Sequence, residues 1–98
     1  MDILKKQENN ALTLSLKGRL DTTTAPELEE TLKSSLDGVN TLTLDFAELE
    51  YISSAGLRVL LSTQKLMNKQ GSMKICNVNS DILEVFQITG FSDILTIE

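Results

Sequence analysis

The sequence predicts an α/β domain, a mixed β-sheet of four or five strands with helices packed mainly on one face. Three observations carry this. Leu12, Leu14 and Leu16, and again Leu42, Leu44 and Phe46, alternate with polar residues; period 2 marks strands with one buried and one open face, not strands covered on both sides. The stretches between and after them place apolar residues at helical spacing between start and stop signals. The elements then read ββαβαβα plus a C-terminal strand or short helix, and two successive strand–helix–strand units imply parallel strands joined by right-handed crossovers. At 98 residues the whole chain, 1–98, reads as a single domain.

Taken in order, Ile3 to Gln7 pairs with the first alternating strand through a turn at Glu8–Asn10. Thr24 and Glu27 match a capping box, and Pro26 stands in the first turn, where its missing N–H does no harm. Leu28, Leu32, Ser35 and Leu36 mark one face of this helix, which Gly38 closes as a left-handed cap. The second alternating strand follows. A second helix starts near Ser54 and runs through Leu57, Leu60, Leu61, Gln64 and Met67 to Gly71. Met73 to Val78 is a weaker strand, in which Cys76 reads as a buried small residue. Ser80 as N-cap opens a third helix over residues 81–88, with Ile82, Val85 and Phe86 inward and Gly90 at its end. The tail from Phe91 to Glu98 packs back as a strand or a short helix.

Composition narrows the function. There is no histidine and one cysteine, which removes serine–histidine and cysteine–histidine pairs, imidazole bases, disulfides and multi-cysteine zinc sites. A formal charge of −5 makes phosphate backbones and anionic lipid poor partners. No glycine-rich phosphate loop is present, so no cofactor or nucleotide site is expected. Asp21, Asp45 and the serines without an activating base make weak catalytic chemistry. No apolar run reaches the ~20 residues needed to span a bilayer. Met1 to Lys6 has no signal-peptide core, and the chain reads as cytoplasmic and non-enzymatic.

In parallel sheets, binding sites form where loops leave the carboxyl ends of the strands. Three segments are expected to meet there: Gly18–Thr24, Ala47–Ser54 and Asn77–Ser80. Gly56 stands out, because a glycine in the first turn of a helix costs ~1 kcal/mol relative to alanine. With Ser53, Ser54 and Ala55 it makes a bare helix start. One reading is N-capping and tight packing against a strand. The other is a serine presented to another protein's active site, where a phosphate would meet unpaired N–H groups and the positive helix end. Tyr51 and Ile52 read as core or loop anchors, and Asp45 as a solvated or turn-bonding residue.

The stretch LDFAELEYISSAGLRVLL (Leu44 to Leu61) resembles the signature of STAS domains, the sulfate-transporter and anti-sigma-factor-antagonist family. GRLDTTTAPEL (Gly18 to Leu28) and NVNSDILEVFQITGF (Asn77 to Phe91) extend the resemblance over nearly the whole chain, and it is nearest the free-standing bacterial anti-sigma factor antagonists. The resemblance implies a partner switch. The unphosphorylated antagonist binds an anti-sigma serine kinase, which supplies ATP and magnesium, and so releases a sigma factor. Phosphorylation at the start of the second helix ends binding, and a metal-dependent serine phosphatase restores it. The phosphoacceptor maps to Ser54, with Ser53 as second choice. Ser53 stands where the family usually has aspartate and Ala55 where it usually has a hydroxyl residue. Asp21, Thr22, Ser53, Ser54, Ala55, Gly56 and Arg58 are the implied partner contacts. The alternative is a STAS scaffold subunit of a transporter or stress-sensing complex that never switches.

Overall fold

A computed structural model describes residues 1–98. β1 (Asp2–Glu8) and β2 (Ala11–Leu20) form an antiparallel hairpin, with Glu8 opposite Ala11 and Asn9 in the turn at φ 54°. Asparagine tolerates this left-handed conformation better than other side-chain-bearing residues. α1 (Ala25–Ser35) leads to β3 (Thr41–Ile52), and α2 (Ser54–Gln70) to β4 (Ser72–Cys76). Both connections join parallel neighbours, giving one four-stranded sheet in the order β1-β2-β3-β4. α3 (Ser80–Thr89) follows, then a single 3-10 turn over Phe91–Asp93.

The alternation does what it predicts. Leu12, Leu14, Leu16, Leu42, Leu44, Phe46, Met73 and Ile75 are buried in one cluster with Leu28, Leu32, Leu60, Met67, Ile82 and Phe86 of the three helices. Thr13, Ser15, Thr43, Asp45, Lys74 and Cys76 lie half-buried on the opposite, helix-free face. The tail is neither a full strand nor a longer helix: beyond its one turn, Leu95 is buried and Ile97 makes a single parallel bridge to Ile75.

Several local expectations are corrected. β2 and β3 do not end at Leu16 and Phe46 but run on to Leu20 and Ile52. The register between them slips twice, at Ser15/Lys17 and at Gly18/Arg19, so β3 carries an extra residue each time. Each bulge shifts the phase of alternation, which is why the buried residues of β3 pass from every second position to Leu49 and Ile52. The capping box is absent, because the Thr24 side chain makes no cap bond to α1 and its hydroxyl donates to the Arg19 carbonyl at 2.7 Å. Gly38 is left-handed, but α1 ends at Leu36 before it. Asn79, not Ser80, caps α3, its Oδ1 accepting from the Ile82 N–H at 2.8 Å. Cys76 is half-buried on the open face; burial and then the Asp45 carboxylate push its thiol pKa up, against Lys74.

Candidate functional site

The carboxyl ends of β2 and β3 lie side by side. Leu20 pairs with Ile52, and the Ser53 N–H donates to the Leu20 carbonyl at 2.9 Å. That bond draws the Asp21–Thr24 turn and the start of α2 to one edge. The third segment joins through Asn79, which lines one open hollow with Gly18 and residues 47–50. β4 makes its last pair, Cys76 with Asp45, well before β3 ends. Asn79 Nδ2 donates to the Leu49 carbonyl at 3.0 Å and Asn77 Nδ2 to Asp45 Oδ1 at 3.0 Å. Residues 77–80 therefore tie onto β3 at Asp45 and at Leu49, the latter within the 47–54 segment, while the Asp21–Thr24 turn and the start of α2 lie beyond them.

Ser53 is the N-cap of α2. It is extended (φ −100°, ψ 175°), half-buried, and its Oγ accepts a long 3.5 Å bond from the Gly56 N–H. Ser54 is the first helical residue and is exposed, and its hydroxyl makes no hydrogen bond within the chain. The Ser54 and Ala55 N–H groups have no intrahelical acceptor at this end, and no acidic residue occupies the first turn. An anion at Ser54 would meet free donors and the positive end of the dipole. Arg58, exposed and four residues on, shares this helix surface.

Asp21 is committed to its own turn. Oδ1 accepts from Thr23 Oγ1 at 2.7 Å, Thr23 N at 3.0 Å and Thr24 N at 3.1 Å, with Thr24 Oγ1 3.2 Å away. The Thr23 hydroxyl bond, with the Thr24 and Thr23 N–H bonds behind it, holds the carboxyl below its ordinary pKa against the opposing effect of burial. Oδ2 remains, 3.7 Å from Arg19 Nε. Thr22 is exposed and Ala55 half-buried. Tyr51 is not a core anchor: it is exposed, with the Arg19 guanidinium 4.1 Å over its ring. This Asp21–Arg19–Tyr51 cluster escapes sequence reading because Arg19 and Tyr51 become neighbours only through the bulged register.

The STAS domain family model matches residues 2–98. This chain belongs to the STAS domain family. Its relatives include the BtrV protein of Bordetella bronchiseptica, 35% identical over 99% of this chain and 85% of that one. The anti-sigma-B factor antagonist of Bacillus subtilis is 33% identical over 94% of this chain and 85% of its own length. Among solved structures, an anti-sigma factor antagonist from Mycobacterium paratuberculosis superposes with a TM-score of 0.88 at 22% identity, covering 98% of this chain and 83% of that one. SpoIIAA of Bacillus, in its phosphorylated form, superposes with a TM-score of 0.77 at 17% identity, covering 99% of this chain and 91% of that one.

In this STAS domain Gly56 is buried, and the space around it is full. A β-carbon there would lie 2.7 Å from Leu20 Cγ and 2.9 Å from Ile52 Cγ1. Its smallness thus serves the docking of α2 on the strand ends. Gly56→Ala gains about 1 kcal/mol of helix propensity but overpacks a fully buried leucine, a cost of about 1–3 kcal/mol. The expected net result is a loss of about 1 kcal/mol, read as a lower urea midpoint at unchanged m; an unchanged or raised midpoint would show that Leu20 yields freely.

Proposed function

We propose that this STAS domain is an anti-sigma factor antagonist that works by partner switching and carries no catalytic activity of its own. Unphosphorylated, it binds an anti-sigma serine kinase through Asp21, Thr22 and the Ser53–Ala55 edge with Arg58, the buried Gly56 seating that edge on the strand ends, and the kinase's sigma factor is released. In the switching step Ser54 Oγ bonds to the γ-phosphorus of ATP held by the kinase, the bond from that phosphorus to the bridging oxygen of ADP breaks, ADP leaves, and the hydroxyl proton passes to a base of the kinase. Hydrolysis of the phosphoserine by a metal-dependent phosphatase resets the switch.

The observation that carries this reading is the contrast between the two serines. Ser53 is half-buried and its oxygen caps α2, whereas Ser54 is exposed with an uncommitted hydroxyl. A phosphate on Ser54 adds about 1.5–2 negative charges at a helix start that tolerates them. The switch therefore alters the docking surface without unfolding the domain. The coarser part of the reading, an anti-sigma factor antagonist, is what similar proteins of Bacillus subtilis and Listeria monocytogenes are called.

The test uses two baits in a lysate of the native cell, wild type and Ser54→Asp, with a Ser53→Ala chain beside them. Wild type is expected to capture a kinase-type ATPase, and Ser54→Asp at least about tenfold less, a loss of about 1.4 kcal/mol or more. With ATP the captured kinase should label wild type and Ser53→Ala but not Ser54→Ala, as mapped by mass spectrometry. Equal capture of one partner set by both baits would sink the switch and favour the scaffold.

A further inference from the structure

The sheet has two outer edges, and they differ. The tail covers β4: Ile75 N–H donates to the Thr96 carbonyl at 2.9 Å, and Glu98 N–H to the Ile75 carbonyl at 2.8 Å. β1 has no such cover. It bonds only to β2, and all its residues except the half-buried Ile3 are exposed, Leu4 by 71%. A row of backbone donors and acceptors therefore faces outward, the kind of edge to which another strand adds.

The geometry points to a second copy of this chain as the occupant, through antiparallel β1–β1 pairing about a two-fold axis. Residues directly opposite in an antiparallel pair share a sheet face, so a self-pairing must match residues of equal parity. Asp2, Leu4 and Lys6 lie on the helix-free face, opposite Lys17, Ser15 and Thr13, while Ile3, Lys5 and Gln7 lie on the helix side. Charge and overlap then select the register: a pairing centred on Gln7 opposes Lys6 with Glu8 but overlaps only residues 6–8 of each strand. A pairing centred on Lys5 stacks lysine on lysine and sets Asp2 against Glu8; one centred on Lys6 again stacks two lysines. The pairing centred on Leu4 sets Asp2 of each copy against Lys6 of the other, flanking a Leu4–Leu4 contact, with Ile3 against Lys5 on the helix side. Neither Asp2 nor Lys6 makes an ion pair within the chain, whose four ion pairs lie elsewhere. Directly opposed unlike charges stabilise strand pairing and like charges oppose it. In this register two of the strand's four unpaired charges and its exposed leucine are used at once, and the two sheets become one of eight strands.

This proposal is independent of the switch at Ser54, and its test is the charge swap. Sedimentation velocity of the wild type from about 10 μM to about 1 mM should show the mass rising from 10.8 kDa toward twice that value. Asp2→Lys and Lys6→Asp each place like charges opposite one another in a self-pair, and each chain alone should associate at least about tenfold more weakly. Mixed in equal amounts they become complementary at both positions and should associate at least as tightly as the wild type. Both substitutions are on exposed residues, and far-UV circular dichroism confirms that each chain is folded. A wild type that stays monomeric to about 1 mM would overturn the proposal, leaving Lys5 and Lys6 as guards of the edge. Single variants that associate like the wild type, or a mixture that does not recover, would overturn this register.

Discussion

Gly71→Ala is expected to destabilise the domain by about 3 kcal/mol, the sum of overpacking against backbone and the loss of a strand-seating hydrogen bond. Gly71 (φ 171°, ψ −123°) lies outside the left-handed region, and the cost is one of space. A β-carbon there would fall onto the carbonyl of Asn40. That carbonyl accepts from the Ser72 N–H at 2.9 Å, the bond that seats β4 beside β3, and the Asn40 N–H is itself tied to the Asn10 carbonyl at 2.8 Å. Backbone on both sides leaves nothing soft to yield. Gln70 Nε2 further pins the region by donating to the Leu36 and Val39 carbonyls at 2.8 and 2.7 Å. Relief of the clash must therefore pull the α2–β4 connection away and open the Thr41–Ser72 rung. Urea unfolding measures the effect directly, and a change below about 0.5 kcal/mol, the range of ordinary surface substitutions, would show that the connection is not as closely packed as described.

Phe46→Ala should cost still more, about 3–5 kcal/mol, which for a domain of this size lowers the melting temperature by about 15 °C or more. Phe46 is fully buried, and its ring meets that of Phe86 with centroids 6.5 Å apart and planes inclined by 39°. It stands on β3 at the first bulge, while Phe86 is the innermost residue of α3. The pair thus ties α3 directly to β3, the strand of the sheet it packs against, beside the buried Ile82. Differential scanning calorimetry reads the shift. Phe86→Ala should give a similar loss, and the double variant less than the sum, because both empty the same volume.

The regular parts of this fold were legible because each strand's alternation and each helix's spacing are strictly local. Leu12 to Leu16 and Leu42 to Phe46 needed no partner to declare their buried face. The strand ends were not legible, since a bulge is a relation between two strands: Leu49 and Ile52 break the alternation of their own segment and regain meaning only beside Gly18 and Leu20. The caps misled for a similar reason. Thr24 has the right type and spacing for a capping box, yet its hydroxyl is claimed by Arg19, and Asn79 prevails over Ser80 by reaching both Ile82 and Leu49. At the candidate site, the Ser53–Gly56 run was visible as a cluster of small residues. The division between capping serine and free serine was not, because it depends on where the helix begins.

Beyond Asp45, β3 has only β2 for a strand neighbour, with Asn79 bonded to its Leu49 carbonyl, and this two-stranded ribbon carries the start of α2 at its tip. On the partner-switching reading, the acceptor serine belongs to a discontinuous epitope: Asp21 and Thr22 come from one strand exit, Ser54 and Arg58 from a helix more than 30 positions later. A short peptide around Ser54 would hold neither the helix start, which is marginal in isolation, nor the residues from the other strand. Recognition would then test whether the domain is folded before it is marked, and the modifying enzyme would read native conformation in place of a linear motif.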